Sequence, residues 1–244
     1  MQKFIDRDRT VIIAADVPTT TRLAMLTRVV KTVPKISGIK IGIELGLTDL
    51  LTAASIIRSE WPEARKIYDH QKGGNDIPEM GAKFARTLKD SRVDAAILFP
   101  FAGPKTQREW TKACVGEGLR VMIGGIMTHD EFLVSEGGYI ADDTPERIYK
   151  LAMEQGVTDF VMPGTKLDWV QRITGWLREG LGDGNYDAYA PGFITQGGDI
   201  SACGAAAGRR FHPIVGSAVY GKDRPASPDE MHEAAMLCTS KLAA

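Results

Sequence analysis

The chain has few cysteines and none of them are paired in sequence. Cys114, Cys203 and Cys238 are an odd, scattered set with no CxxC spacing. That excludes a disulfide framework and a thiolate zinc site, and it fits reduced thiols in a reducing compartment. The four histidines are equally scattered, so no metal site is expected. An excess of one charge sign is also missing. Thirty Lys and Arg stand against 31 Asp and Glu, a net −1 interleaved along the whole length, and without a basic stripe nucleic acid is not an expected partner. The longest apolar run, around "AAILFPFAG" (95–103), falls far short of the roughly 20 residues of a membrane helix. The opening "MQKFIDRDRT" is too charged for a signal peptide. These absences predict a cytoplasmic protein that contacts neither membrane nor nucleic acid. The first apolar segment ends in "AADVPTTT" with no GxGxxG, so no dinucleotide site is expected. There is no linker, low-complexity stretch or shift in composition, which predicts a single domain over 1–244.

What is present is a rhythm. Short apolar runs, "VIIAAD", "GIKIGI", "RKIYD", "DAAILF", "LRVMIGG", "DFVMPG", "YDAYAPG" and "HPIVGS", alternate with amphipathic stretches. Most runs are nearly continuously apolar, as strands of a parallel sheet are when both faces are covered. Thr144-Pro145 predicts a cap and first-turn proline for a helix ending near Gly156, with Ile148, Leu151 and Ala152 on one face. "SPDE" (227–230) reads as a capping box opening the last helix. Leu167, Val170, Ile173 and Leu177 form a further core-facing stripe. The acidic start of "ADDTPERIYK" reads as a solvated helix start. Eight strand–helix units in this length predict a closed (β/α)8 TIM barrel.

Chemistry in such barrels sits at the carboxyl ends of the strands. Those ends carry Asp16, Lys40, Asp69 with Lys72, Thr128, the segment "PGFITQGGD", and "VGSAVYG". Asp16 has two readings, as the cap of a helix beginning near Thr19 or as a site residue. Lys40 lies within an apolar strand, where an unpaired charge is costly, and so requires a carboxylate from the neighbouring strands, which end in Asp16 and Asp69. Asp69, Lys72 and Asp76 could be a solvated loop, but Gly73 and Gly74 suit a tight backbone that fixes charges in place. His70 and His129 read as structural. Gln196 to Asp199 together with Val215 to Ser217 supply glycine-rich loops after strands 7 and 8, which favour a phosphorylated ligand.

Taken together these segments resemble the orotidine 5'-monophosphate decarboxylase family. "IKIGIEL" is similar to its strand 2 lysine segment, "YDHQKGGNDIP" to its Asp-Lys-Asp signature, and "APGFITQGGD" with "IVGSAVY" to its phosphate-binding end, in order from Asp16 to Tyr220. The resemblance implies decarboxylation of orotidine 5'-monophosphate to UMP without metal or organic cofactor. It implies a charge network of Lys40, Asp69, Lys72 and Asp76, in which Asp69 faces the substrate carboxylate and Lys72 protonates C6. It places Asp16 on the ribose hydroxyls, Thr128 on the pyrimidine edge, and Ile77 and Pro191 against the substrate. The phosphate falls to Gln196 and the amides of Gly197, Gly198, Gly216 and Ser217. It further implies a homodimer with shared active sites, Asp76 reaching into the partner. Two departures stand out. The signature reads Asp69-x-x-Lys72-x-x-x-Asp76 where the family has Asp-x-Lys-x-x-Asp, and Ser217 stands where the family has a phosphate-binding arginine. Arg209, Arg210, Lys222 and Arg224 are the nearby cations, the first two preceding strand 8 and so expected at its opposite end. The competing readings are a magnesium-dependent sugar-phosphate barrel, which Lys40 opposes by charge, and a non-catalytic nucleotide-binding barrel.

Overall fold

The computed structural model describes residues 3–69, 73–194 and 197–242. Eight parallel strands close in sequence order: β1 (Val11–Ala14), β2 (Ile36–Ile41), β3 (Arg65–Tyr68), β4 (Ala95–Leu98), β5 (Arg120–Gly124), β6 (Asp159–Val161), β7 (Asp187–Pro191) and β8 (Phe211–Val215). Pairing of β1 with β8 seals the barrel, with Ile12 opposite Ile214. Six strands fall inside the apolar runs read from the sequence, while β2 begins two residues before its run, at Ile36, and β8 one residue before, at Phe211; the fold is the expected (β/α)8 barrel.

Why those runs are continuously apolar is visible in their parity. Successive strand side chains point to opposite faces. Ile12 and Ala14 join the cluster that fills the barrel with Ile67, Ala95, Ile97, Met122, Val161 and Ile214, whereas Val11 and Ile13 pack outward among the helices. Each strand therefore buries both faces. At the floor, the strands' amino ends, Phe4 and Ile5 are buried and belong to the inner cluster, so the segment before β1 closes that end. Arg210 crosses the floor, donating to Ile5 O and pairing with Asp187 at 2.8 Å and with Asp8 at 2.5 Å.

The helices follow their start signals with two corrections. α1 (Thr20–Val30) is capped by Thr19, whose Oγ1 accepts from Arg22 N at 3.2 Å. α5 (Thr144–Glu154) has Asp143 at the cap position, without a side-chain capping bond, and Thr144 is already helical; Pro145 sits in the first turn as expected. In α6 (Leu167–Leu181) Val170, Ile173 and Leu177 are buried, but Leu167 is exposed because it begins the helix at the rim. α9 (Pro228–Ser240) carries both bonds of its capping box, between Ser227 and Glu230. α2 (Ile43–Glu60) breaks at Asp49, which leaves helical geometry and accepts from Thr52 N at 2.9 Å, restarting the helix. Among the described residues no helix is long and apolar enough to cross a membrane.

Candidate active site

The site begins with strand register. Ala14, Lys40 and Ile67 lie level across β1, β2 and β3, and all three point into the barrel. Two residues further along β1 and β3 the same parity turns Asp16 and Asp69 inward, one layer above Lys40. Lys40 Nζ lies 3.3 Å from Asp16 Oδ1 and 3.5 Å from Asp69 Oδ2. Lys40 and Asp69 are buried, while the Asp16 side chain is 42% exposed at the mouth. The lysine that the apolar strand could not carry unpaired thus has the two carboxylates the sequence offered. The backbone fixes them, with Ala15 N donating to Lys40 O at 2.8 Å and Asp69 N to Ile41 O at 3.0 Å. Asp16 is not a helix cap, since Thr19 takes that role.

Two features around this array carried no sequence signal of their own. A Cβ on Gly42 would collide with Asp16 Oδ1 and come within 3.4 Å of Lys40 Nζ, so this glycine leaves the room in which the carboxylate meets the ammonium. Burial first, and then the charges of Asp16 and Glu44, push the Tyr220 phenol up to about 12, so the field of the same carboxylate reaches it.

Of the Asp-Lys-Asp segment, His70, Gln71 and Lys72 lie outside the described residues. Gly73 and Gly74 are buried against β4: Phe99 N donates to Gly73 O at 2.8 Å, and a Cβ on Gly73 would stand 2.9 Å from Ile97 O. Gly74 has φ +89, so the two glycines hold the tight backbone expected of them. Asp76 and Ile77 are exposed, Ile77 by 59%. Their backbone is clamped to α4 (Pro104–Gly116): Thr106 Oγ1 donates to Asp76 O at 3.0 Å and Trp110 Nε1 to Ile77 O at 3.1 Å. Asp76 makes no ion pair among the described residues, so within one chain it stands apart from Lys40. Thr128 is half-buried after β5, its carbonyl accepting from Thr165 Oγ1 at 3.3 Å. His129 sets its ring edge-on to Phe132.

Pro191 ends β7 and leads into the glycine-rich loop. Gln196 lies outside the described residues. The amides of Gly197 and Gly198 are engaged inside the loop, donating to Ile194 O at 3.3 Å and to Gly192 O at 3.1 Å. Asp199 caps α7 (Ile200–Ala207), accepting from Ala202 N at 2.8 Å. After β8, Gly216 and Ser217 open the short α8 (Ser217–Tyr220). The cations sort as their sequence positions imply. Arg209 and Arg210 are at the floor with Asp8, Arg224 pairs with Glu230, and exposed Lys222 has no ion pair among the described residues. Arg22, which no motif marked, reaches from α1 to the end of α8 and the loop after it, donating to Tyr220 O at 3.2 Å and Ala226 O at 2.5 Å.

Solved structures share this architecture over nearly the whole chain. The orotidine 5'-monophosphate decarboxylase of Methanocaldococcus jannaschii, crystallised with the inhibitor BMP, superposes with a TM-score of 0.78 at 20% identity, covering 97% of this chain and 99% of its own. The Pyrococcus horikoshii enzyme gives 0.72 at 24% identity, covering 95% and 99%. That of Sulfolobus solfataricus gives 0.69 at 19%, covering 96% and 100%. The fold is orotidine 5'-monophosphate decarboxylase-like. No protein-family model and no curated protein matches the sequence. Likeness at this identity lies in the fold, and the chemistry has to be argued from the side chains.

Proposed function

We propose that this barrel decarboxylates orotidine 5'-monophosphate to UMP. The observation that carries the reading is the Asp16–Lys40–Asp69 array, buried on its inner side, at the carboxyl ends of β1 to β3. A charge array of this kind, fixed before substrate arrives, favours a transition state whose charge differs from that of the substrate. Asp69 faces a carboxylate that leaves as neutral CO2, so its repulsion is relieved as the bond breaks. Two unit charges 4 Å apart interact by about 4 kcal/mol at an effective dielectric of 20. Lys72 supplies the proton to the carbanion at C6, and Lys40 holds both carboxylates in place. Asp16, exposed at the mouth, takes the ribose hydroxyls, Thr128 the pyrimidine edge, and Pro191 and Ile77 the flanks of the substrate.

In this reading the phosphate lies between the loops after β7 and β8. The Gly197 and Gly198 amides must exchange their internal bonds for it, and Lys222 replaces the charge of the arginine that Ser217 lacks. The functional unit is a homodimer. Ile43 and Leu47, one turn apart before the break in α2, are exposed, Leu47 by 73%, as are Leu51 beyond the break and Ile77 on the segment after β3. A second copy that receives Asp76 covers these apolar side chains. The test is the ultraviolet change as orotidine 5'-monophosphate is consumed by the purified chain. Turnover that survives a chelator supports the reading. No turnover by folded protein at substrate concentrations of several mM removes it.

A further inference from the structure

The floor of the barrel, opposite the mouth, carries a second concentration of charge. A cavity of about 510 Å³ opens there between the N-terminal segment, the amino ends of β3 to β5, and α3 (Met80–Asp90). That volume is within the range of small-molecule sites, about 300–1,000 Å³. Its charged lining is Lys3, Arg65, Lys89 and Arg120 against the single carboxylate of Asp94. Asp94 is already occupied, accepting from both N and Nζ of Lys66 at 2.8 Å. Arg120 is matched by buried Asp159 at 2.7 Å. Lys3, Arg65 and Lys89 remain, with no carboxylate within ion-pair distance among the described residues. Two of them are held in place: Lys3 Nζ donates to Gly184 O at 3.0 Å, and the Arg65 guanidinium lies 5.2 Å from the centre of the Phe4 ring.

Three uncompensated cations around one concavity repel each other and focus a positive field into it. A phosphate monoester carries only about −1.5 to −2 at pH 7 and leaves part of that charge unmatched. We propose that the floor cavity binds the diphosphate group of a small molecule, joining the N-terminal segment through Lys3 to β3 through Arg65 and to α3 through Lys89. The bound group stabilises the closed floor by mass action. This site is independent of the activity proposed for the mouth, which it does not touch.

Calorimetric titration and thermal unfolding of the whole chain with inorganic pyrophosphate, orthophosphate and a nucleoside diphosphate test it. Pyrophosphate should bind once per chain, at least about tenfold more tightly than orthophosphate, and raise the Tm as its concentration rises. Lys89→Ala should weaken it several-fold and Lys3→Ala with Lys89→Ala at least tenfold, with unchanged far-ultraviolet circular dichroism. Lys105→Ala, which removes an exposed lysine at the other end of the barrel, should not. A nucleoside diphosphate that binds more tightly than pyrophosphate identifies a nucleotide as the occupant, and equal binding identifies the phosphate chain alone. Parental affinity in the double variant, or equal weakening by Lys105→Ala, overturns the proposal.

Discussion

Gly42→Ala separates the chemistry of the mouth from the stability of the barrel. Gly42 has φ −92 and ψ −164, extended backbone that alanine adopts without strain. The added methyl has one serious conflict, with Asp16 Oδ1, so the side chain of Asp16 must rotate away from Lys40. That side chain is 42% exposed, and a pair so open to water is worth about 0–1 kcal/mol. Buried Asp69 remains 3.5 Å from Lys40 after the rotation. Unfolding in urea, followed by tryptophan fluorescence, should therefore show a loss below about 1 kcal/mol. Binding should suffer more. If Asp16 accepts from ribose hydroxyls, each charged hydrogen bond is worth about 1.5–3 kcal/mol, and KM for orotidine 5'-monophosphate should rise between about tenfold and a hundredfold. Asp16→Ala should match it, and the double variant should be no worse than either, since both remove one interaction. A KM within twofold of the parent refutes the role given to Asp16. A stability loss of several kcal/mol would show instead that the backbone yields, not the carboxylate.

The remaining predictions concern assembly, phosphate and acid. Lys72→Ala and Asp76→Ala should each be inactive, and after subunit exchange their mixture should recover about a quarter of parental activity, because half of the dimers are hybrids with one intact site of two; no recovery after proven exchange rules out shared sites. Lys222→Ala should raise KM at least about tenfold, roughly 1.4 kcal/mol, and Ser217→Arg should lower it, whereas Arg209→Ala, at the floor, should leave it alone; an unchanged KM in Lys222→Ala leaves the phosphate to neutral donors. Glu230 is held down at about 2, first by its hydrogen bond from Arg224 and then by the Ser227 cap. A carboxyl lowered on folding contributes its full stability above its unfolded pKa and loses it as the pH falls toward 2. Glu230→Gln should therefore flatten the acid limb of stability against pH between about 4 and 2, and an unchanged limb would show that the exposed pair does nothing.

The strands to within two residues, most of the helix starts and the one charge that demanded explanation were legible in the residues alone. Continuous apolar runs state that both faces of a strand are covered, and capping signals such as Ser227 to Glu230 act within one turn, so both are legible without knowing what packs where. Lys40 was legible for the same reason, because desolvation is costly whatever the surroundings, and its two candidate partners were the ends of the adjacent strands. Arg209 and Arg210 could be set at the floor simply because they precede a strand whose carboxyl end faces the mouth. Only closure of the barrel decided the rest. It chose between the two readings of Asp16, pairing it with Lys40 while Thr19 caps α1, and it made Gly42 the residue that leaves room for that pair. Arg22 met Tyr220 across 198 positions and Ala226 across 204. Lys3, Arg65, Lys89 and Arg120 were likewise gathered from four separate stretches onto one floor. Periodicity and caps are written in neighbouring residues, whereas each of these contacts depends on how separate strands and helices are brought together and on volumes that no single segment contains.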